Sequence, residues 1–341
     1  MPGVGKIALS AMIPILSAKG IDVASLPTAL VSNTLDFGKF DILDTTDYME
    51  KTVDIWHDFG FRFDCISTGF MISPKQINIV ERLINNQDTD NLLVDVDPIM
   101  GDEGKLYNGM TDNNVAIMRK LSSYADILIP NFTEACFLTN HFYSRDTLSQ
   151  DEADKLIERV RQLGSKSVVI TSTSVNGENC VIGYDHTKDE NFKIGFELID
   201  VRFPGTGDIF SAVLVSDVLN GESLYDATKH AMETVRIIII DNLDKKEKFF
   251  GVDIERYISE GKLLKIKITL VEQKGTCPCH RGHKVGDTFD FDTERGKLCP
   301  MAAHVLFPMI DILRYGGELK SNVFCCPDVD TINVFKIEKV D

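Results

Sequence analysis

Along the first 258 residues, short runs of apolar and β-branched residues alternate with stretches in which apolar residues recur every three to four positions. The runs at 65–67, 92–96, 127–129 and 168–170 predict strands. The stretches at 46–59, 74–85, 112–123 and 149–163 predict helices, and two further apolar helices are predicted over 208–219 and 224–243. Near the N-terminus, Leu9, Met12, Ile13 and Leu16 fall at helical spacing and predict an amphipathic helix. Lys6, the apolar 7–16 segment and Ser17-Ala18 also outline a secretory leader, but Pro14 and Ser10 interrupt its apolar stretch, and the helix is the reading taken. Strand–helix alternation at this spacing implies an α/β fold, a mostly parallel sheet with helices on both faces. Ligands of such sheets bind beyond the carboxyl ends of the strands. The polar residues there are Thr68-Gly69, Asp97-Pro98, Pro130-Asn131 and Thr171-Ser172.

From residue 265 the pattern changes. Residues 265–271 alternate and predict a strand. A Gly-, Cys- and His-rich loop follows, then a run at 285–291, a helix over 300–315 and a closing strand at 334–337. Two domains are expected, 1–258 and a small α+β domain over 264–341, joined near Gly261.

Charge sharpens that division. The 341 residues include 36 Lys and Arg against 52 Asp and Glu, a net charge of −16. The last 79 residues hold 11 of each sign, so the whole imbalance falls on the first 262. Five of the eight Cys and three of the seven His lie in those 79. An acidic first part argues against nucleic acid or an anionic membrane as partner. The densest apolar run, Ile237 to Ile240, ends at Asp241, short of the roughly 18–20 residues that span a bilayer. A cytoplasmic chain is expected, its cysteines being thiols or metal ligands rather than disulfides.

The sharpest chemical feature is Pro204-Gly205-Thr206-Gly207-Asp208, which opens an apolar helix. Glycines allow a tight turn whose N–H groups converge on an anion, and the helix start adds its positive end. A carboxylate in that first turn can take a proton from a hydroxyl while the loop stabilises a transferring phosphoryl group. An ordinary glycine turn with an Asp N-cap is the alternative. Asp97-Pro98-Ile99-Met100-Gly101-Asp102 places two carboxylates after a buried strand, where they would hold a cation or simply cap the strand end. Pro130-Asn131-Phe132-Thr133-Glu134 follows another strand; it could order metal and water around phosphates or mark a helix start. Thr171-Ser172 adds two hydroxyls. Gly3-Val4-Gly5-Lys6 lacks the spacing of a Walker A loop, and 91–97 lacks that of an EF-hand.

Taken in order, Leu26-Pro27-Thr28-Ala29-Leu30-Val31-Ser32, 97–102, 130–134, Thr171-Ser172 and Gly205-Thr206-Gly207-Asp208 resemble the pyridoxal/pyridoxamine kinases of the ribokinase-like superfamily, over residues 3–257. The resemblance implies an ATP- and Mg²⁺-dependent kinase of vitamin B6 salvage that phosphorylates the 5′-hydroxyl of pyridoxal, pyridoxine or pyridoxamine. Hydroxymethylpyrimidine kinase activity and a non-catalytic nucleotide- or vitamer-binding role are the alternatives. It also implies roles. Asp208 is the base, with Gly205, Thr206 and Gly207 as the anion hole. Asp97, Asp102 and Glu134 serve Mg²⁺; Asp97, Asn131, Glu134, Thr171 and Ser172 serve ATP. Ser32, Thr34 and Asp208 face the vitamer, and such kinases are often homodimers. Two departures fall on the vitamer side. The family opens with a strand before a Ser-Gly-x-Gly-Lys/Arg turn, whereas this sequence starts at Met1 inside that turn, so an upstream extension is expected. The family's Ser-x-His-Thr-Gly-Gly is replaced by Ser32-Asn33-Thr34-Leu35-Asp36-Phe37-Gly38, shorter and without the His.

The tail resembles a separate small family of Cys-containing domains with no established activity. Cys277, Cys279, His280, His283, Cys299 and Cys326 are candidate zinc ligands, with Cys277, His283, Cys299 and Cys326 the preferred set, although Cys-x-Cys-His-x-x-His crowds a tetrahedron. A small β-rich module with buried free thiols is the favoured reading.

Overall fold

A computed structural model describes residues 1–341 other than 142, 145–146, 261–264, 276, 278, 280, 292–293, 295–296, 315–318, 327, 329–330 and 341. The described residues form two compact units, Met1–Ile254 and Glu255–Asp341.

The first unit opens with α1 (Leu9–Ala18), then a two-stranded antiparallel ribbon of β1 (Ala29–Val31) and β2 (Ile42–Asp44), then α2 (Thr46–Asp58). Next come β3 (Cys65–Thr68), α3 (Pro74–Asn85), β4 (Leu93–Val96), a tight hairpin of β5 (Gly101–Asp102) and β6 (Lys105–Leu106), and α4 (Asp112–Ser122). They are followed by β7 (Ile127–Leu128), α5 (Phe132–Thr139), α6 (Gln150–Arg161) and the strands β8 (Ser167–Val175), β9 (Glu178–Asp185) and β10 (Glu190–Gly195). Two helices, α7 (Thr206–Leu219) and α8 (Leu224–Asp241), end the pattern.

The main sheet has the order β10-β9-β8-β7-β4-β3. The four strands β3, β4, β7 and β8 are parallel; β9 and β10 add antiparallel. The expected strand at 168–170 is thus the first part of a longer strand. It turns back through Asn176 and Gly177, at φ 52° and 83°, the left-handed pair that a two-residue hairpin requires. That Asn-Gly signal stands in the sequence, and the hairpin it marks is absent from the expected elements.

Apolar residues of the sheet such as Ile66, Val94, Val96, Leu128, Val168 and Ile170 pack with Ile77, Val80, Met118, Leu156 and Val160 of the helices. α7 is buried continuously from Ile209 to Asp217, as expected of a helix apolar on all sides, and packs against α1 and α8. α1 forms where predicted, but it buries Ala11, Ile15 and Leu16, leaving Leu9, Met12 and Ile13 half-buried. Its sequence is apolar nearly all round, so spacing alone does not single out the packed face.

The second unit contains α9 (Glu255–Glu260), β11 (Lys265–Gly275), β12 (Thr288–Asp290), α10 (Pro300–Arg314), β13 (Val323–Cys325) and β14 (Thr331–Val340). Its strands form an antiparallel sheet in the order β12-β11-β14-β13. Alternating Ile266, Ile268 and Leu270 meet Phe335, Ile337, Leu306 and Ile310 in a core of its own. Gly261, Leu264 and Tyr315, which marked expected boundaries, lie outside the described residues. No described helix is long and apolar enough to cross a membrane.

Candidate active site

The site builds from the N-terminus of α5. Asn131 Oδ1 accepts the Glu134 N–H at 3.0 Å, and Glu134 Oε2 accepts the Asn131 N–H at 2.9 Å, a reciprocal capping box. The second Glu134 oxygen accepts the Met100 N–H at 3.1 Å, while Asn131 Nδ2 donates to the Gly101 carbonyl at 2.8 Å. Thr133 Oγ1 accepts the Gly104 N–H at 2.9 Å. The α5 terminus therefore fixes the β5–β6 hairpin, whose turn residues Glu103 and Gly104 both have positive φ, directly beyond the end of β4. On its other side, Asn131 bridges to Thr171, whose N–H donates to the Pro130 carbonyl at 3.0 Å. β8 slips register between Ile170 and Thr173, and Ser172 there takes the left-handed conformation at φ 57° and is exposed. The expected strand end at Thr171-Ser172 is thus a bulge that turns two hydroxyl residues out of the ladder.

Across from these elements stands the start of α7. Gly205 has φ 90°, and a Cβ there would collide with the Lys6 carbonyl, so the position requires glycine. The space over Gly207 is open. No side chain caps α7, so the first-turn N–H groups of Thr206, Gly207 and Asp208 are available to an anion. Asp97, just after β4, is tied to the same helix: its Oδ2 accepts the Ser211 hydroxyl at 2.9 Å.

Electrostatically the site is short of positive charge. Burial pushes half-buried Asp208 up to about 6, against the Ala8 N–H that favours its charged form. Burial, then repulsion from Glu134 and Asp208, raises Asp97 well above the usual carboxylate range. Burial also raises Glu134, in spite of N–H bonds from Asn131, Met100 and Gly101. Asp102 is raised by burial, opposed by the Glu103 N–H and by Arg202. Asp95, fully buried two residues before Asp97, is pushed to about 7, with only the Ser67 hydroxyl (2.7 Å) opposing; its Oδ1 has no partner among the described residues. Such a group of desolvated like charges favours a proton or a bound cation.

The structure brings Gly205, Thr206, Gly207, Asp208, Asp97, Asp102, Asn131, Glu134, Thr171 and Ser172 to one end of the sheet. It corrects three expectations. First, Asp97, Asp102 and Glu134 do not form a ready metal cage: among the described residues no three His, Cys, Asp or Glu side chains converge as a metal-binding group. Both Glu134 oxygens are held by backbone N–H groups instead. Second, Thr34 is fully buried and its hydroxyl donates to the Phe249 carbonyl at 3.0 Å, so it pins a loop rather than facing a substrate. Ser32 likewise donates to Asn33 Oδ1 and accepts the Asp41 N–H, closing its own loop. Third, the candidate zinc set Cys277, His283, Cys299 and Cys326 is not assembled. Cys277 is exposed, Cys299 sits in the apolar core, and Cys326 Sγ accepts the Asn333 N–H at 3.3 Å. His280 lies outside the described residues.

Three residues of the site were missed. Ser211 follows Asp208 by three positions on a helix and so shares its face. Asp95 shares a strand face with Asp97 by the period of two; a charge inside an apolar run was the available signal. Arg202, three residues before Gly205, carried no signal at all.

This geometry has relatives. Residues 10–253 match the phosphomethylpyrimidine kinase family. A Bacteroides thetaiotaomicron protein provisionally assigned as a phosphomethylpyrimidine kinase, solved with pyridoxal, is 31% identical with a TM-score of 0.72, covering 76% of this chain and 92% of that one. Pyridoxal kinase from Lactobacillus plantarum is 26% identical with a TM-score of 0.68, covering 76% and 93%. Arabidopsis thaliana pyridoxal kinase is 31% identical over 188 residues, 52% of this chain and 59% of the relative. The chain thus spans less than two thirds of that relative's length. The fold is ribokinase-like, that of the pyridoxal kinases, and the chain belongs to the phosphomethylpyrimidine kinase family.

Proposed function

We propose that this chain is an ATP-dependent kinase of vitamin B6 salvage, transferring the γ-phosphoryl group to the 5′-hydroxyl of pyridoxal, pyridoxine or pyridoxamine. The observation that carries this reading is Asp208, a carboxyl raised to about 6 in the first turn of a helix whose N–H groups no side chain caps. Ionised Asp208 accepts the hydroxyl proton as the oxygen attacks the γ-phosphorus and the bond from that phosphorus to the departing ADP breaks. The N–H groups of Thr206, Gly207 and Asp208 hold the charge on the group in transfer. Asn131, Thr171 and Ser172 are assigned to the nucleotide. These side chains form no metal cage by themselves among the described residues, so Mg²⁺ would arrive with the nucleotide phosphates, which would supply part of its shell; the raised carboxylates Asp97 and Asp102 would complete it, with Glu134 acting through water. Bound Mg²⁺ neutralises charge on the phosphates. The pyridoxal held by the Bacteroides relative supports the vitamer as acceptor.

On the same reading the chain is cytoplasmic and works as a homodimer, the first unit is the kinase domain, and the second is a separate module of unassigned role. The matched family bears the name of a pyrimidine kinase, so a hydroxymethylpyrimidine is the second acceptor to test. ADP release from Mg·ATP, measured with each B6 vitamer and with hydroxymethylpyrimidine, decides. Turnover with a vitamer is expected. Turnover with the pyrimidine alone transfers the assignment, and Mg·ATP binding without turnover leaves a non-catalytic binding protein.

A further inference from the structure

Arg202 stands three residues before Gly205, half-exposed, within ion-pair reach of two carboxylates. Its Nη2 lies 3.8 Å from Asp36 Oδ1 and its Nε 3.9 Å from Asp102 Oδ2. These are ion-pair distances, too long for hydrogen bonds, and among the described residues the guanidinium makes no hydrogen bond. The two carboxylates belong to different parts of the site. Asp36 lies in the short turn Leu35–Phe37 of the loop that Ser32 and Thr34 pin, and Asp102 in the β5–β6 hairpin that α5 fixes. Two other cations near the α7 start are turned elsewhere: Lys6 faces Asp253 at 3.9 Å, and Lys248 lies over the Phe203 ring. The field of Arg202 reaches into the site, where it opposes the raised pKa of both Asp102 and Tyr107.

We propose that Arg202 is a polyphosphate latch. In the free protein it is suspended between Asp36 and Asp102, linking the 32–41 loop to the hairpin. When a nucleoside polyphosphate settles at the α7 N-terminus, its fork of N–H donors turns to the phosphate oxygens, which offer short, bidentate bonds that neither carboxylate makes. The loop is released from the hairpin in the same movement. This rests on the kinase reading only in taking a nucleotide as the ligand; it names the residue that senses its arrival.

Calorimetry with Mg·ADP on the full chain tests it without turnover. Arg202→Gln is expected to weaken Mg·ADP by about 10- to 100-fold, the worth of hydrogen bonds to a charged group, while pyridoxal affinity stays within about twofold. Arg202→Lys, which keeps the charge but not the fork, falls between. Asp36→Asn is expected to tighten Mg·ADP severalfold in the Arg202 background and to lose that gain when combined with Arg202→Gln. Unchanged Mg·ADP affinity in Arg202→Gln, or the same Asp36→Asn gain in both backgrounds, overturns the latch. Should the chain bind Mg·ADP and show this pattern yet phosphorylate no vitamer, the kinase reading falls while the latch stands. A chain that binds no Mg·ADP overturns both.

Discussion

The carboxylates of the first unit and the thiols of the second are both buried polar clusters, but they stand at opposite ends of a scale of internal satisfaction. Asp97, Glu134, Asp208 and Asp95 are all raised because burial, joined by like charge at Asp97 and Glu134, exceeds what their hydrogen bonds return. At Cys279 the balance is reversed. Burial pushes the thiol up, but N–H groups of Arg281, His283 and Gly282 and the Asn333 side chain, 3.1 Å from Sγ, overcome it and hold it below the usual range. Asn333 also serves Cys326, whose Sγ accepts its backbone N–H. The difference separates a site that lacks something its ligands bring from a cluster whose polar atoms are met within the fold. A concentration of ligand-type residues in the sequence does not make that distinction; the hydrogen bonds do.

The largest effect expected is on the rate. Asp208→Asn should lower kcat by about 10²–10⁴, the worth of one general base, because an amide cannot accept the hydroxyl proton. Mg·ADP binding should change little, since the N–H groups of α7 remain. Single-turnover rates alongside calorimetry check both halves.

Stability comes next, and its sign follows from the direction of the shifts. A carboxyl whose folded pKa lies above its unfolded value binds protons more tightly when folded. Its contribution to stability therefore falls as pH rises from the unfolded pKa through the folded one. Asp95, near 7, should lower the stability of the unliganded chain between about pH 4 and pH 7. Asp95→Asn keeps an acceptor for Ser67 and removes the charge. It should raise Tm at pH 8, by about 2–4 kcal/mol of stability at most, and leave it nearly unchanged at pH 4. Thermal melts at the two pH values decide; equal gains at both would show that Asp95 is not a buried charge.

Smaller again is Glu134→Gln, which keeps one acceptor for the Asn131 N–H of the capping box, removes the charge and gives up the second oxygen's bond to the Met100 N–H. If Glu134 acts on the metal from further out, half-maximal activity should need about tenfold more Mg²⁺, as for other outer partners of a metal site. An unchanged Mg²⁺ titration would confine Glu134 to helix capping. The smallest effect belongs to the second unit. Cys279→Ser should leave kinase activity unaltered, as should ending the chain at Ser259, and the purified protein should carry no stoichiometric zinc by elemental analysis. One zinc per chain, lost with Cys279, would place the thiol cluster beside the carboxylates as an incomplete site.

What the sequence disclosed was local in kind. The segments 97–102, 130–134 and 205–208 each join a strand or helix end to polar residues within a few positions, and the topology gathers those ends. Contacts made across the chain were not legible. Nothing near Thr34 announces that its hydroxyl belongs to Phe249, 215 residues away. The position of Arg202 between Asp36 and Asp102 depends on three separate segments. The β1–β2 ribbon escaped for another reason: its strands are three residues each and β2 is exposed throughout, so the alternation is too short to read.

The central claim is that Asp208 is the proton acceptor, poised near neutrality by burial. The pH dependence of kcat/KM for pyridoxal, from pH 5 to 8, tests it most directly. With the carboxyl at about 6, the rate should climb nearly tenfold per pH unit at the acid end and level off above about pH 6–7, and Asp208→Asn should lose both the limb and most of the rate. A flat profile in the parent chain, or an Asp208→Asn variant with the parent's rate and profile, would contradict the account.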